Sequence, residues 1–189
     1  MKRILFFVLV SANGYYERGR WGIDWHNVDD EFSAFAREQL EAVDTMLLGR
    51  ATYEGFAGYW PTPAAIADAP EIAEKMNGLP KVVFSKTLER AEWSNTRVAS
   101  GDIGEEIDKL KREPGKDAIV MGSSDLAASL SEQGLIDEYR IMVNPIILAE
   151  GKPLLAGMKV DLPLRLRQAR TFKFGNVLLY YEPARAGVT

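Results

Sequence analysis

Short apolar segments alternate with segments of helical spacing along the first half of this chain, and that alternation is what most restricts its fold. Met46-Leu47-Leu48 shows the strand signal in its smallest form, an apolar run without polar alternation, as a strand covered on both faces requires. Apolar segments at 4–10, 45–48, 81–84, 96–99, 118–121, 138–144, 164–172 and 176–182 read as about eight strands. Between them, residues 29–43 place Phe32, Phe35, Ala36, Leu40 and Val43 near a 3.6-residue period. Residues 70–76 and 103–111 read as shorter helices, and 125–133 as a helix that starts behind two serines suited to capping. Strand–helix alternation predicts a parallel sheet between helical layers. The last two strands join through Lys173-Phe174-Gly175-Asn176, which predicts an antiparallel C-terminal hairpin on that sheet. A length of 189 residues fits one domain, 1–189, with a substantial core.

Ligands of such sheets bind at the carboxyl ends of the strands, so the residues that follow each strand carry the functional argument. Ser11, Ala12, Asn13, Gly14 and Tyr15 follow the first. Gly49, Arg50 and Thr52 follow the second, where residues 51–58 can begin a helix, and Ser85, Lys86 and Thr87 follow the third. Gly122, Ser123, Ser124 and Asp125 follow the fifth, at the mouth of another helix. Cations, hydroxyls and open backbone N–H groups at a helix start suit an anion such as a phosphate. Any one of these loops reads equally well as a tight strand–helix turn with a solvated side chain. Three at equivalent ends of one sheet point to a phosphate-bearing ligand.

The remaining composition removes several function classes. With 23 basic against 27 acidic residues and a net charge of −4, no basic footprint for nucleic acid is present. There are no cysteines, which excludes disulfides, thiol nucleophiles and Cys-based zinc sites. A lone histidine, His26, sits in a loop and leaves little for a histidine-based metal site or a serine–histidine triad. The apolar run 4–10 is short and continues into Ser-Ala-Asn-Gly-Tyr, so it reads as a first strand rather than a signal peptide, and no segment is long enough to span a bilayer. The expected location is the cytoplasm.

The stretches SANGYY, LLGRATYEGF, PKVVFSKTL, IVMGSSDLAASLSEQGLIDEYRIMVNPIILAEGKPLL and the closing hairpin occur in an order and spacing that resembles the dihydrofolate reductase-like superfamily. The nearest branch is the reductase (C-terminal) domain of the bifunctional riboflavin-biosynthesis deaminase-reductase, and the resemblance covers nearly the whole chain. It implies a three-layer αβα fold and an NADPH-dependent reductase, similar to 5-amino-6-(5-phosphoribosylamino)uracil reductase or dihydrofolate reductase. By position it implies that Arg50 and Thr52 hold cofactor phosphates, with Gly49 allowing the turn. Ser85, Lys86 and Thr87 would lie against the adenosine side, where a lysine suits a 2′-phosphate. Gly122, Ser123, Ser124, Asp125 and Leu126 would carry the pyrophosphate, and Ala12 and Gly14 would flank the nicotinamide. Dihydrofolate reductases usually have two glycines where this chain has Gly122-Ser123, which works only if the serine avoids positive φ. Relatives of the riboflavin branch pair as homodimers, and the apolar C-terminal strands are the expected contact.

On the substrate side the resemblance implies one acid on the first long helix. Glu31 is the candidate, with Asp30 in reserve and Asp29 adjacent; the same Asp-Asp-Glu run also serves simply as a helix start. Trp21, Trp25, Trp60, Tyr15, Tyr16 and Tyr53 could wall a pocket for a flat heterocycle, or belong to the core and its rim. The expected partner is therefore a small heterocyclic substrate, with an NADPH-holding regulatory module that does not turn over as the alternative.

Overall fold

The computed structural model of this chain describes residues 1–19 and 22–184. Ten strands and six helices follow one another as β1 (Ile4–Ser11), β2 (Tyr15–Glu17), α1 (Asp30–Glu41), β3 (Val43–Gly49), α2 (Arg50–Tyr59), α3 (Pro63–Asp68), α4 (Pro70–Gly78), β4 (Lys81–Phe84), β5 (Thr96–Ala99), α5 (Ile103–Arg112), β6 (Asp117–Met121), α6 (Ser124–Glu132), β7 (Glu138–Asn144), β8 (Lys152–Pro153), β9 (Leu164–Thr171) and β10 (Val177–Pro183). Eight of the strands form one sheet in the order β5-β4-β3-β6-β1-β7-β10-β9, while β2 and β8 make a separate ribbon. The neighbours from β5 to β7 pair in parallel, and β10 runs antiparallel to both β7 and β9. The mostly parallel sheet with its antiparallel C-terminal hairpin is therefore present.

β1 shows why both faces must be covered. Its alternate residues Ile4, Phe6, Val8 and Val10 enter one core with Ile107 and Leu110 of α5 and Leu126 and Leu130 of α6. Leu5 and Phe7 enter the other, with Phe35 and Leu40 of α1, Tyr53 of α2 and Met76 of α4. Full burial of each such side chain stabilises the fold by roughly 1.5–3 kcal/mol, so neither layer is dispensable. The result is three layers, helices on both sides of the sheet.

Several details differ from the sequence expectation. The first long helix ends at Glu41, and Val43 already opens β3, with an irregularity in its pairing to β6 between Val43 and Thr45. Asp44 at that point accepts from Lys2 Nζ at 2.6 Å and from Lys116 N at 2.8 Å, which fastens the amino end of the strand. The last strand, β10, lies inside the sheet, and β9 forms one of its two edges. Lys81, the first residue of β4, is buried: its ammonium donates to the carbonyls of Asn77, Leu79 and Ser94 at 3.0, 2.7 and 3.1 Å and lies 4.2 Å from the Trp93 ring centroid. Burial lowers its pKa to about 8. α3, which starts at Thr62-Pro63, and the β2–β8 ribbon have no counterpart in the periodicity reading.

Candidate functional site

β3 and β6 are neighbours in the sheet, yet the chain leaves them in opposite directions. β3 feeds α2, which packs on the Leu5 face, and β6 feeds α6, which packs on the Ile4 face. Connections that diverge from adjacent parallel strands open a crevice at their carboxyl ends. A groove of about 550 Å³ lies there, within the size of ordinary ligand sites. Gly49, Arg50, Thr52, Ser85, Lys86, Ser123, Ser124, Asp125 and Leu126 all line it. Three loops far apart in sequence thus meet in one place.

Outside this groove three helix starts carry a side-chain cap, while α4, which follows Ala69 with Pro70 at its first position, carries none. Asp29 Oδ1 accepts from Phe32 N at 2.7 Å, Thr62 Oγ1 from Ala65 N at 3.2 Å and Asp102 Oδ1 from Glu105 N at 3.0 Å, which caps α1, α3 and α5. No side chain caps α2 or α6. The first of the α6 backbone bonds is Ala127 N to Ser123 O at 2.9 Å, so the N–H groups of Ser124, Asp125 and Leu126 precede it. Two uncapped helix starts in one groove offer donors and partial positive charge to an anion.

Their join is specific. Ser123 Oγ accepts from Gly49 N at 2.8 Å, tying the end of β6 to the end of β3. Gly122 takes φ +69 while Ser123 has φ −41, so the left-handed position falls on the glycine and the serine is accommodated. The Ser123 N–H itself is occupied, donating to Met121 O at 2.7 Å. Gly49 has φ −75 and ψ 160, extended backbone open to any residue, so its turn does not require glycine. Gly122 stands just behind the lining, where an added Cβ would lie 3.7 Å from Thr52 Cγ2.

Arg50 is held by Glu54, its Nε 2.7 Å from Oε1, and by Thr87 Oγ1 at 2.6 Å from Nη1, so Thr87 acts at the rim through the arginine. Ser85 Oγ accepts from Thr87 N and Leu88 N at 3.2 and 3.0 Å, shaping the loop that presents exposed Lys86. Ala12 and Gly14 lie beyond the lining, in the turn after β1. Ala12 N donates to Ile146 O at 2.8 Å, and Gly14 adopts φ +85. Among the described residues no cluster of acids and histidine could hold a metal, and no helix is long and apolar enough to cross a membrane.

This sequence and fold have counterparts among known proteins. The family model of the RibD C-terminal domain matches residues 2–180. The chain belongs to the RibD C-terminal domain family. Bacillus subtilis YyaP, a protein of uncharacterised function, is 32% identical over 184 residues, which cover 96% of this chain and 95% of YyaP. A putative riboflavin biosynthesis protein from Shewanella sp. PV-4 superposes with a TM-score of 0.74 at 21% identity, covering 97% of this chain and 99% of that one. The dihydrofolate reductase of Enterococcus faecalis, solved with NADP(H), superposes with a TM-score of 0.65 at 14% identity over 96% of each chain. The fold is thus the dihydrofolate reductase-like one.

Within this RibD-type domain the three acids at the start of α1 have separate places. Asp29 is the helix cap, and Asp30 is exposed. Glu31 Oε2 accepts from Lys173 N at 2.9 Å, and its Oε1 lies 3.6 Å from Arg170, so Glu31 ties α1 to the β9–β10 turn. Of the aromatic candidates, Tyr16 lines the groove. Burial, with the nearby charges of Asp125 and Glu17, raises its pKa to about 12, against a hydrogen bond with Ser124, so it stays a neutral hydroxyl. Tyr53 is buried and accepts from Glu92 N and Trp93 N at 3.0 and 3.3 Å, and Trp25 donates to Gly22 O at 2.8 Å. Tyr15 belongs to the ribbon, and Trp60 is partly buried against the α1–α2 core. Trp21 lies outside the described residues. Sequence reasoning missed Glu17, Glu54 and Lys152, which also line the groove. The i, i+4 spacing of Arg50 and Glu54 was the available signal for one of them.

Proposed function

We propose that this protein is an NADPH-dependent reductase of a small, flat, polar heterocycle of the pterin or ribosylaminopyrimidine kind. The observation that carries this reading is the pair of uncapped helix starts facing one groove together with Arg50 and Lys86. Open N–H donors suit a diphosphate, and the two cations suit a 2′-phosphate through charge-assisted contacts. When bound, NADPH supplies a hydride from nicotinamide C4 to the carbon of a polarised C=N or C=O group. The chain orients the reactants in the groove. In this reading Glu31 is the acid that assists protonation, with Asp30 in reserve, although neither lines the groove and Glu31 is tied to Lys173 N and Arg170. A cytoplasmic location and a homodimer belong to the same reading.

The first test is mass action: NADPH and NADP⁺ at millimolar concentration should raise the melting temperature. Absence of any shift, with a control dinucleotide enzyme responding, removes the proposal. Replacing Arg50 and Lys86 together with alanine should narrow the preference for NADPH over NADH, and an unchanged ratio would put the 2′-phosphate elsewhere. NADPH oxidation in a panel of pterins and ribosylaminopyrimidines then separates a reductase from a module that binds without turnover.

A further inference from the structure

The groove has a second wall that none of the strand-end loops supplies. In the ribbon, Tyr15 lies opposite Pro153 and Glu17 opposite Lys152, and Tyr16, Glu17 and Lys152 line the groove. The ribbon is fastened over the first turn of α6. Leu155 N donates to Ser124 Oγ at 2.8 Å, and Leu154 N donates to Gly14 O at 3.0 Å. A Cβ at Gly151 would lie 2.7 Å from the carbonyl oxygen of Glu17, so only glycine permits this approach. Lys152 is therefore held on the α6 side of the groove, whereas Arg50 and Lys86 come from the ends of β3 and β4.

The charges of the lining explain why a cation is needed there. Arg50, Lys86 and Lys152 are set against Glu17, Glu54 and Asp125, so the lining is formally neutral. Asp125 is in the first turn of α6, where an arriving diphosphate meets it as a like charge. Arg50 is already engaged by Glu54 and Thr87. Lys152 Nζ lies 3.3 Å from Glu17 Oε2, its own side chain 60% exposed and that of Glu17 only 13%, so the ammonium end of the contact is open to solvent and to an arriving anion. A diphosphate presents more charge and more acceptor oxygens than one carboxylate, so it competes successfully for this ammonium.

We infer that Lys152 is a diphosphate contact, drawn from Glu17 by the dinucleotide and offsetting Asp125 from the ribbon side. The inference rests on the reading of the groove as an NADPH site. It is tested by titrating NADPH and 2′-AMP into the parent protein and into Lys152→Ala and Lys152→Arg, with melting temperatures as the check on folding. Lys152→Ala should weaken NADPH binding about 5–20-fold, as loss of an exposed charge-assisted contact does. Lys152→Arg should stay within about threefold of the parent, since the charge is kept. Binding of 2′-AMP, which has the 2′-phosphate but no diphosphate, should be the same in all three proteins. If Lys152→Ala binds NADPH as the parent does, or Lys152→Arg loses as much as Lys152→Ala, the contact does not exist. Equal loss for 2′-AMP would move Lys152 to the 2′-phosphate and overturn the assignment. A parent that binds neither ligand removes the NADPH reading itself, a result distinct from any of these.

Discussion

His26 packs its ring edge-on to Trp25, with centroids 4.4 Å apart, and its buried Nε2 has no hydrogen-bond partner among the described residues. Burial pulls its pKa down to about 4, with the Asp24 charge working weakly in the other direction. The unfolded value is about 6.5, so between those values the unfolded chain takes up a proton that the folded one refuses. Its contribution to stability is complete above pH 6.5 and is lost as pH falls toward 4, by on the order of 2–3 kcal/mol. Denaturant melts from pH 7 to 4 should show this slope in the parent and a shallower one in His26→Phe. Glu31 gives a second residue-scale prediction. Glu31→Gln keeps an oxygen for Lys173 N, so the NADPH affinity should hold while turnover falls roughly 10²–10⁴-fold if Glu31 passes the proton. Steady-state rates within a few-fold of the parent, with a lower melting temperature, would leave Glu31 as the tie to the hairpin alone.

At the scale of elements, the contrast between capped and uncapped helices has a measurable consequence. α2 starts at Gly49, whose extended backbone suits an N-cap residue, and an added Cβ there would meet Ser123 and Leu126 at 3.6–3.7 Å, ordinary contact. Gly49→Asp would give α2 the cap that α1 and α5 already have. It should raise the stability of the ligand-free protein by about 0.3–1 kcal/mol. The same carboxylate would occupy the donors and repel phosphate, so NADPH affinity should fall at least about tenfold. Thermal melts and NADPH titration on one preparation check both halves. A stabilised protein with undiminished affinity would show that the α2 start takes no part in binding. Gly151→Ala tests the ribbon in the same way. The added methyl forces β8 away from β2, so NADPH affinity should drop while the main sheet, which does not include either strand, keeps its cooperative melt.

For the molecule as a whole, the sheet has two edges, β5 and β9, and β9 pairs with β10 alone. Arg165 and Arg167 pair with Glu182, and Arg170 with Glu31, so charged side chains line this strand. Charges on an edge discourage strand-to-strand association. The homodimer we propose would therefore use the face of the C-terminal strands, where Leu166 is exposed, rather than the edge. Light scattering at micromolar protein should give twice the chain mass, and Leu166→Glu should lower it toward one chain. A single-chain mass for the parent removes the dimer.

Much of this architecture is legible without coordinates, because burial of a segment is a local property. The apolar run at Met46-Leu47-Leu48 and the helical spacing of Phe32, Phe35 and Leu40 each say how many faces are covered. In a parallel sheet every strand ends on the same side, so Arg50, Lys86 and Ser124 had to converge once the strands were placed. Other features depend on residues far apart in sequence, and local pattern carries no information about them. The Lys173–Asn176 turn implies a hairpin but not which of its strands joins β7. Nothing near Lys81 announces that carbonyls from Asn77, Leu79 and Ser94 will receive its ammonium. The ribbon strands are too short to have a period, so the second wall and Lys152 emerge only when residues 15–17 meet 152–153. Likewise the sequence names Glu31 ahead of Asp30 and Asp29 only through the resemblance, and nothing local announces that packing brings Lys173 and Arg170 to it. The sequence by itself determined the layers, the strand ends and the anion-suited loops, since each follows from the burial or turn chemistry of neighbouring residues. Tertiary structure alone decided which charges face one another across the groove, because that depends on how distant segments pack.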